Sequence, residues 1–253
     1  MKWVRSCGIT FSMYSRIPMP QFDWREEDQR LVLCFFPWVG AVIGLGLMLW
    51  RWICLRLGIG SLAYLLAGTA LPVLVTGGFH VDGFLDTMDA LHSYQSRERK
   101  LEILKDSHIG AFAVIMLLVY YLLYLAGFSE IRDFRSTAVM ALGFVISRCL
   151  SGIGVMTIPN ARGGGMLWTM SSHAEKQTVL AALYVQFGMA GAAMLACGSG
   201  AGVLALAAAV GSFAFYRRRC EREFGGITGD TAGYFVLLCE LAVTIAAAIG
   251  GRF

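Results

Sequence analysis

Apolar runs of about 20 residues, the length that crosses a bilayer as an α-helix, follow one another along most of this chain. Seven are read, at about 31–54, 61–80, 109–128, 136–158, 177–197, 199–216 and 231–250. In lipid such a run satisfies its backbone polar groups only as a helix. The pattern therefore predicts an all-α fold, a polytopic helical membrane bundle in which residues 1–253 form one integral membrane domain. Composition agrees: 57% of the residues are hydrophobic and 15% charged, against about 25% charged in soluble domains. The first 30 residues are polar, with Pro18, Pro20 and the acids Asp23, Glu26, Glu27 and Asp28, and no cleavable signal peptide is read there. The seven cysteines contain no CxxC pair and read as small packing residues.

Charge assigns a side to each connection. With the N-terminus in the cytoplasm, segments 1–30, 81–108, 159–176 and 217–230 hold 15 of the 21 Lys and Arg, and the opposite side holds five. The positive-inside rule favours that orientation. Of the 17 acids, only Glu130 and Asp133 fall outside, and Glu240 lies within a span. Polar chemistry is thus concentrated on the cytoplasmic face, as suits an enzyme with cytosolic substrates. A cation transporter would place more polar groups at the midplane.

The densest cluster is Thr76-Gly77-Gly78-Phe79-His80-Val81-Asp82-Gly83-Phe84-Leu85-Asp86-Thr87-Met88-Asp89, at the end of the second run. Asp82, Asp86 and Asp89 stand at i, i+4 and i+7, on one face of a helix. Like charges so placed repel by roughly 0.2–0.5 kcal/mol per pair even when exposed. A hard cation with a preference for oxygen, such as Mg²⁺, removes that cost. Gly77 and Gly78 permit close backbone approach to a ligand, and His80 is a general base, a phosphate contact or a metal ligand. Before the third run, Lys105-Asp106-Ser107-His108 offers a cation, an acid and a hydroxyl suited to a phosphate and its metal ion, with a lipid-anchoring Lys as the alternative.

Arg148, inside the fourth run, needs a partner; it either pairs with Glu240 or points into a cavity to hold phosphate. Arg162, in the Gly-rich stretch 159–165, is placed to close over an anion. Thr228, Gly229 and Asp230 open the last run, where helix N–H groups attract anions and Asp230 either caps the helix or holds a second metal. Arg217, Arg218 and Arg219 read as a positive-inside anchor.

Taken in order, these segments resemble the cobalamin synthase (adenosylcobinamide-GDP ribazoletransferase) family over nearly the whole chain. The resemblance rests on Phe11 with Ser15-Arg16-Ile17-Pro18, on Phe36-Pro37-Trp38-Val39-Gly40, on the Gly77–Asp89 element, on Lys105-Asp106-Ser107-His108-Ile109-Gly110, and on Gly225-Gly226-Ile227-Thr228-Gly229-Asp230. His108 stands where the family usually has Arg, and Asn160 where it commonly has Tyr. The resemblance implies a Mg²⁺-dependent transfer of the cobinamide phosphate of adenosylcobinamide-GDP to α-ribazole or its 5′-phosphate, with release of GMP. Asp82, Asp86, Asp89 and Asp106 would then hold the metal, while Lys105, Arg148 or Arg162 neutralises phosphate and His80 or an Asp takes the proton. It further implies a multi-pass protein of the cell inner membrane with its site facing the cytoplasm. A homo-oligomer and contacts with other late cobalamin enzymes are compatible partners, and no nucleic acid is expected. A phospholipid-forming CDP-alcohol phosphotransferase also sets Asp residues at helical spacing, but its Asp-Gly-x-x-Ala-Arg segment is missing here, because Leu85-Asp86 follow Asp82-Gly83-Phe84.

Overall fold

Six of the seven apolar runs lie on a single helix each in the computed structural model, which describes residues 2–20, 25–106 and 108–252. Along the chain come α1 (Lys2–Tyr14), α2 (Glu26–Gln29), α3 (Val32–Leu57), α4 (Ser61–Thr76), α5 (Phe79–His92) and α6 (Arg97–Ile103). The remainder are α7 (Ala111–Ser129), α8 (Phe134–Thr157), α9 (Met166–His173), α10 (Lys176–Cys197), α11 (Ser199–Phe224) and α12 (Gly229–Gly250). Among the described residues no strand forms, and the one isolated bridge joins Asn160 to Ile227. All seven cysteines are free thiols.

The protein is a polytopic helical membrane bundle. Among the described residues, six helices are by themselves long and apolar enough to cross a membrane: α3, α7, α8, α10, α11 and α12. They divide into a centre and a rim. In α8 and α12, 89% and 72% of the most apolar window is buried inside the bundle, against 22% in α7. A helix that is apolar all round and yet exposed has lipid for its solvent. Accordingly Leu45, Leu49 and Leu55 of α3 and Val114, Leu118 and Leu122 of α7 are exposed. At the centre α3 lies close against α8. A side chain at Gly40 would collide with the Phe144 carbonyl, and a Cβ at Gly44 would stand 2.6 Å from that of Ala141. Small residues four apart allow this approach, the usual device of membrane helix packing.

One expected span needs correction. The run read as 61–80 stops at Thr76: α4 and α5 meet at a 94° bend, and only the two together satisfy the span criterion. α5 crosses the first turn of α12, where a Cβ on Gly83 would sit 2.7 Å from the Asp230 carbonyl oxygen. It therefore lies at the end of the bundle where α12 begins. The run read as 199–216 lies within α11, which continues to Phe224 and carries Arg217–Arg219 beyond the apolar stretch, as expected.

Spans that alternate in direction bring residues 2–20, 25–31, 77–106, 108–110, 158–175 and 217–228 to one end of the bundle. Contacts along that end confirm the grouping. Arg16 N–H donates to the Val75 carbonyl at 2.8 Å, and Thr10 Oγ1 donates to the Val32 carbonyl at 2.8 Å. Lys100 of α6 pairs with Glu223 of α11 at 2.6 Å. With Arg217–Arg222 included, these segments carry 14 of the 21 Lys and Arg.

Candidate active site

Two consecutive glycines make the bend that delivers the acids. Gly77 and Gly78 have φ of +68° and +84°, left-handed values that side chains with a Cβ rarely adopt. Gly77 also leaves room for Arg16, whose side chain would be 2.7 Å from a Cβ there. Helix α5 starts at once, with Asp82 in its first turn, where the helix dipole favours a negative charge. His80, Gly83, Phe84, Thr87 and Met88 are buried, while Asp82 is exposed and Asp86 and Asp89 are half-buried along one edge.

A fourth acid joins them from across the chain. The α5–α12 crossing sets Asp230 beside the α5 acids, and Arg162 Nη1 stands 3.5 Å from the Asp230 carboxylate. Asp86 feels the crowding: burial first, then the charges of Asp82, Asp230 and Asp89, push its carboxyl up to about 6, with Arg162 pulling the other way. Among the described residues, no three acid, His or Cys side chains already converge on one metal position. What the protein presents is a fan of carboxylates with excess negative charge and one facing cation. An all-oxygen, charge-rich donor set of this kind suits Mg²⁺, which binds through one or two carboxylates and completes its shell with water and phosphate.

Two loops hold Arg162 and Asp230 together. The Ala161 N–H donates to the Ile227 carbonyl and the Ile227 N–H to the Pro159 carbonyl, both at 2.9 Å. Asn160 Oδ1 accepts from the Arg162 and Gly163 N–H groups at 2.9 and 3.1 Å, so this Asn builds the turn that aims Arg162. The Arg162 Nη2 donates to the Leu101 carbonyl at 3.3 Å, and its buried Nε has no protein partner. At the start of α12, Thr228 Oγ1 accepts from the Thr231 N–H and Thr231 Oγ1 accepts from the Thr228 N–H, a reciprocal cap. Thr228 also donates to Asp230 Oδ2 at 3.3 Å.

These elements enclose a cavity of about 270 Å³. Of the residues singled out from sequence, His80, Asp82, Arg162, Thr228, Gly229 and Asp230 line it. Asp86 and Asp89 flank it along α5. Gly77 and Gly78 shape the bend and do not line the wall. Lys105 is exposed and also lies outside the lining, and Ser107 lies outside the described residues. Asp106, expected as a metal ligand, is instead exposed and bonded to His108 through Nδ1 at 2.6 Å and N–H at 3.0 Å, so the departure to His has captured it.

Arg148 requires the clearest correction. It is buried between α3, α8 and α12, where its Nη1 donates to Glu240, to the Phe144 carbonyl at 2.9 Å and to Ser147 Oγ at 3.1 Å. The lone intramembrane acid neutralises it, and it does not line the large cavity.

Sequence reasoning gave no site role to Tyr14, Phe36, Phe79, Ser151 or Met170, which also form the wall. Apolar side chains in a membrane chain carry no distinguishing signal. Ser151 did have one: Ser147, Arg148 and Ser151 make a polar stripe on a buried helix.

The loop before α7 reaches this site at one point. A Cβ at Gly110 would overlap the Asp89 carboxylate. Gly110→Val is therefore expected to swing Asp89 away from the carboxylate fan and to weaken any divalent-cation binding there roughly tenfold, about 1.4 kcal/mol. Thermal unfolding should hardly change. A Mg²⁺ titration of the purified variant checks this.

The family model described as cobalamin-5-phosphate synthase matches residues 6–248. A protein of Lachnoclostridium phytofermentans named adenosylcobinamide-GDP ribazoletransferase is 41% identical over 249 residues, covering 98% of this chain and 95% of its own. Proteins of the same name from Pseudomonas aeruginosa and Clostridium perfringens are 33% and 28% identical, covering 97% and 93% of this chain and 98% and 94% of their own. No solved structure matches.

Proposed function

Because the chain belongs to the cobalamin-5-phosphate synthase family, we propose that it is an adenosylcobinamide-GDP ribazoletransferase. It transfers the adenosylcobinamide phosphate group from its GDP ester to α-ribazole or α-ribazole 5′-phosphate. The observation that carries the reading is the fan of Asp82, Asp86, Asp89 and Asp230, faced by Arg162, around a cavity at the basic end of the bundle.

In the reaction a ribazole hydroxyl oxygen bonds to the phosphorus bearing cobinamide. The bond from that phosphorus to the bridging oxygen breaks, and GMP leaves with the electron pair. Such a transfer needs charge neutralisation and alignment more than covalent help from the protein. Asp82, Asp86, Asp89 and Asp230 would hold Mg²⁺, which supplies charge neutralisation on the pyrophosphate oxygens. Arg162 has an Nε without a partner and is held by its backbone turn, so it is preorganised to bind a phosphate oxygen. His80 and Asp82 both line the cavity and are the groups placed to take the hydroxyl proton.

The same reading puts the site on the cytoplasmic face of the cell inner membrane. The supporting fact is the excess of Lys and Arg in the segments around the cavity. The test is GMP release by the purified protein in detergent or nanodiscs. Release is expected only with adenosylcobinamide-GDP, α-ribazole and Mg²⁺ together. Release of GMP without acceptor, or transfer undiminished by a chelator, would contradict the proposal.

A further inference from the structure

The cavity has two unlike halves. Asp82, Arg162, Thr228 and Asp230 make one side polar. The other side is walled by Tyr14, Phe36 and Phe79, with Leu33, Val155 and Met170 beside them. The aromatic rings there form a set: Tyr14 lies 4.4 Å from Phe36 and 5.6 Å, edge-on, from Phe79, centroid to centroid. On this side His80, its ring centroid 5.7 Å from those of Phe36 and Phe79, has a buried Nε2 without a protein partner, and the other polar atoms are engaged. The Tyr14 hydroxyl meets Met170 Sδ at 3.6 Å, and Ser151 Oγ meets the Ala232 carbonyl at 3.5 Å.

Taking the proposed transfer as its premise, we propose that this aromatic half seats the flat base of the acceptor nucleoside, α-ribazole. Three ring systems take part in the reaction, and size and polarity separate them. The corrin macrocycle of the donor is far too large for about 270 Å³, a volume at the small end of the roughly 300–1,000 Å³ of ligand pockets. Guanine fits by size but carries an amide and an exocyclic amine. In this half they would find at most the one His80 nitrogen, so most of guanine's polar groups would be buried without partners, a penalty that disfavours it there. The dimethylbenzimidazole of ribazole is flat and methylated and has no exocyclic donor. It suits apolar walls and edge-to-face aromatic neighbours. Seated there, its ribose extends toward Asp82 and Asp230, and the corrin and guanosine of the donor remain outside at the open polar mouth.

Phe79 is the wall residue to change. It is 43% exposed, at the rim, and first in α5, so shortening it leaves the bundle core intact. The experiment varies each substrate separately with purified full-length protein and Mg²⁺. For Phe79→Ala, KM for α-ribazole is expected to rise tenfold or more, while KM for adenosylcobinamide-GDP stays within about twofold. Phe79→Leu, which keeps the wall apolar, should recover most of that loss. An unchanged KM for ribazole, or a rise confined to the donor, overturns the assignment. Equilibrium dialysis of labelled α-ribazole without donor separates this proposal from the transfer reading. Loss of binding in Phe79→Ala supports the subsite even where no transfer is seen, and undiminished binding overturns it even where transfer is normal.

Discussion

Asp82→Asn and Asp86→Asn are each expected to lower transfer by roughly 10²–10³-fold, the range seen when one preorganised group that stabilises transition-state charge is removed. The substitution keeps shape and removes one negative charge. Stability should respond in the opposite sense for Asp86. Its carboxyl is pushed up to about 6 by burial and by its acidic neighbours, so in the absence of a cation the ionised form opposes folding. Between the ordinary aspartate range and about 6 the folded chain binds more protons than the unfolded chain. Stability contributed by this group is therefore present at low pH and lost as pH rises through that window. At pH 7 Asp86→Asn should unfold at the same temperature as the parent or slightly higher, measured without divalent cations. A variant that is inactive because it is unfolded would show the reverse.

The other large effect is structural and lies inside the membrane. Glu240→Ala leaves Arg148 charged, 1% exposed and without its carboxylate. Breaking a buried pair from one side costs about 3–5 kcal/mol, enough to reduce the folded yield sharply in a protein of ordinary marginal stability. Helix α3 closes in on Arg148 from one side, where a Cβ on Gly40 would stand 2.8 Å from its Cδ. Replacing both partners, as Arg148→Met with Glu240→Leu, should recover most of the loss, since two apolar groups of similar volume need no partner. Denaturant unfolding of the purified proteins in detergent compares the three. A single variant as stable as the parent would show that the pair does not hold the bundle.

The spans were legible because lipid imposes one rule, a long apolar helix, that composition reports directly. The division of 61–92 into two helices was harder to read. Hydropathy runs on through Thr76, and the break lies in the left-handed backbone of Gly77 and Gly78. The acids of α5 were legible from spacing alone. The placement of Asp230 beside them was not, because it depends on how closely Gly83 lets α5 cross α12. Lys105 and Asp106 had the right chemistry in a segment that the fold leaves exposed. Arg148 had the right charge, yet its partner was the one acid in the opposite span. The aromatic wall was hidden because Tyr14, Phe36 and Phe79 look, in sequence, like any other apolar residues of a membrane bundle. Asn160, a departure from the usual residue, proved to be a turn builder through its side-chain oxygen.

The central claim is that the carboxylate fan is a cation site serving a pyrophosphate. Binding of Mn²⁺, a spectroscopic substitute for Mg²⁺, to the purified protein can be followed by electron paramagnetic resonance with and without adenosylcobinamide-GDP. The account predicts a bound signal that Mg²⁺ displaces, that tightens when the donor is added, and that is lost in the double variant Asp82→Asn with Asp86→Asn. A double variant that binds Mn²⁺ as the parent does, with the same tightening by the donor, would contradict it.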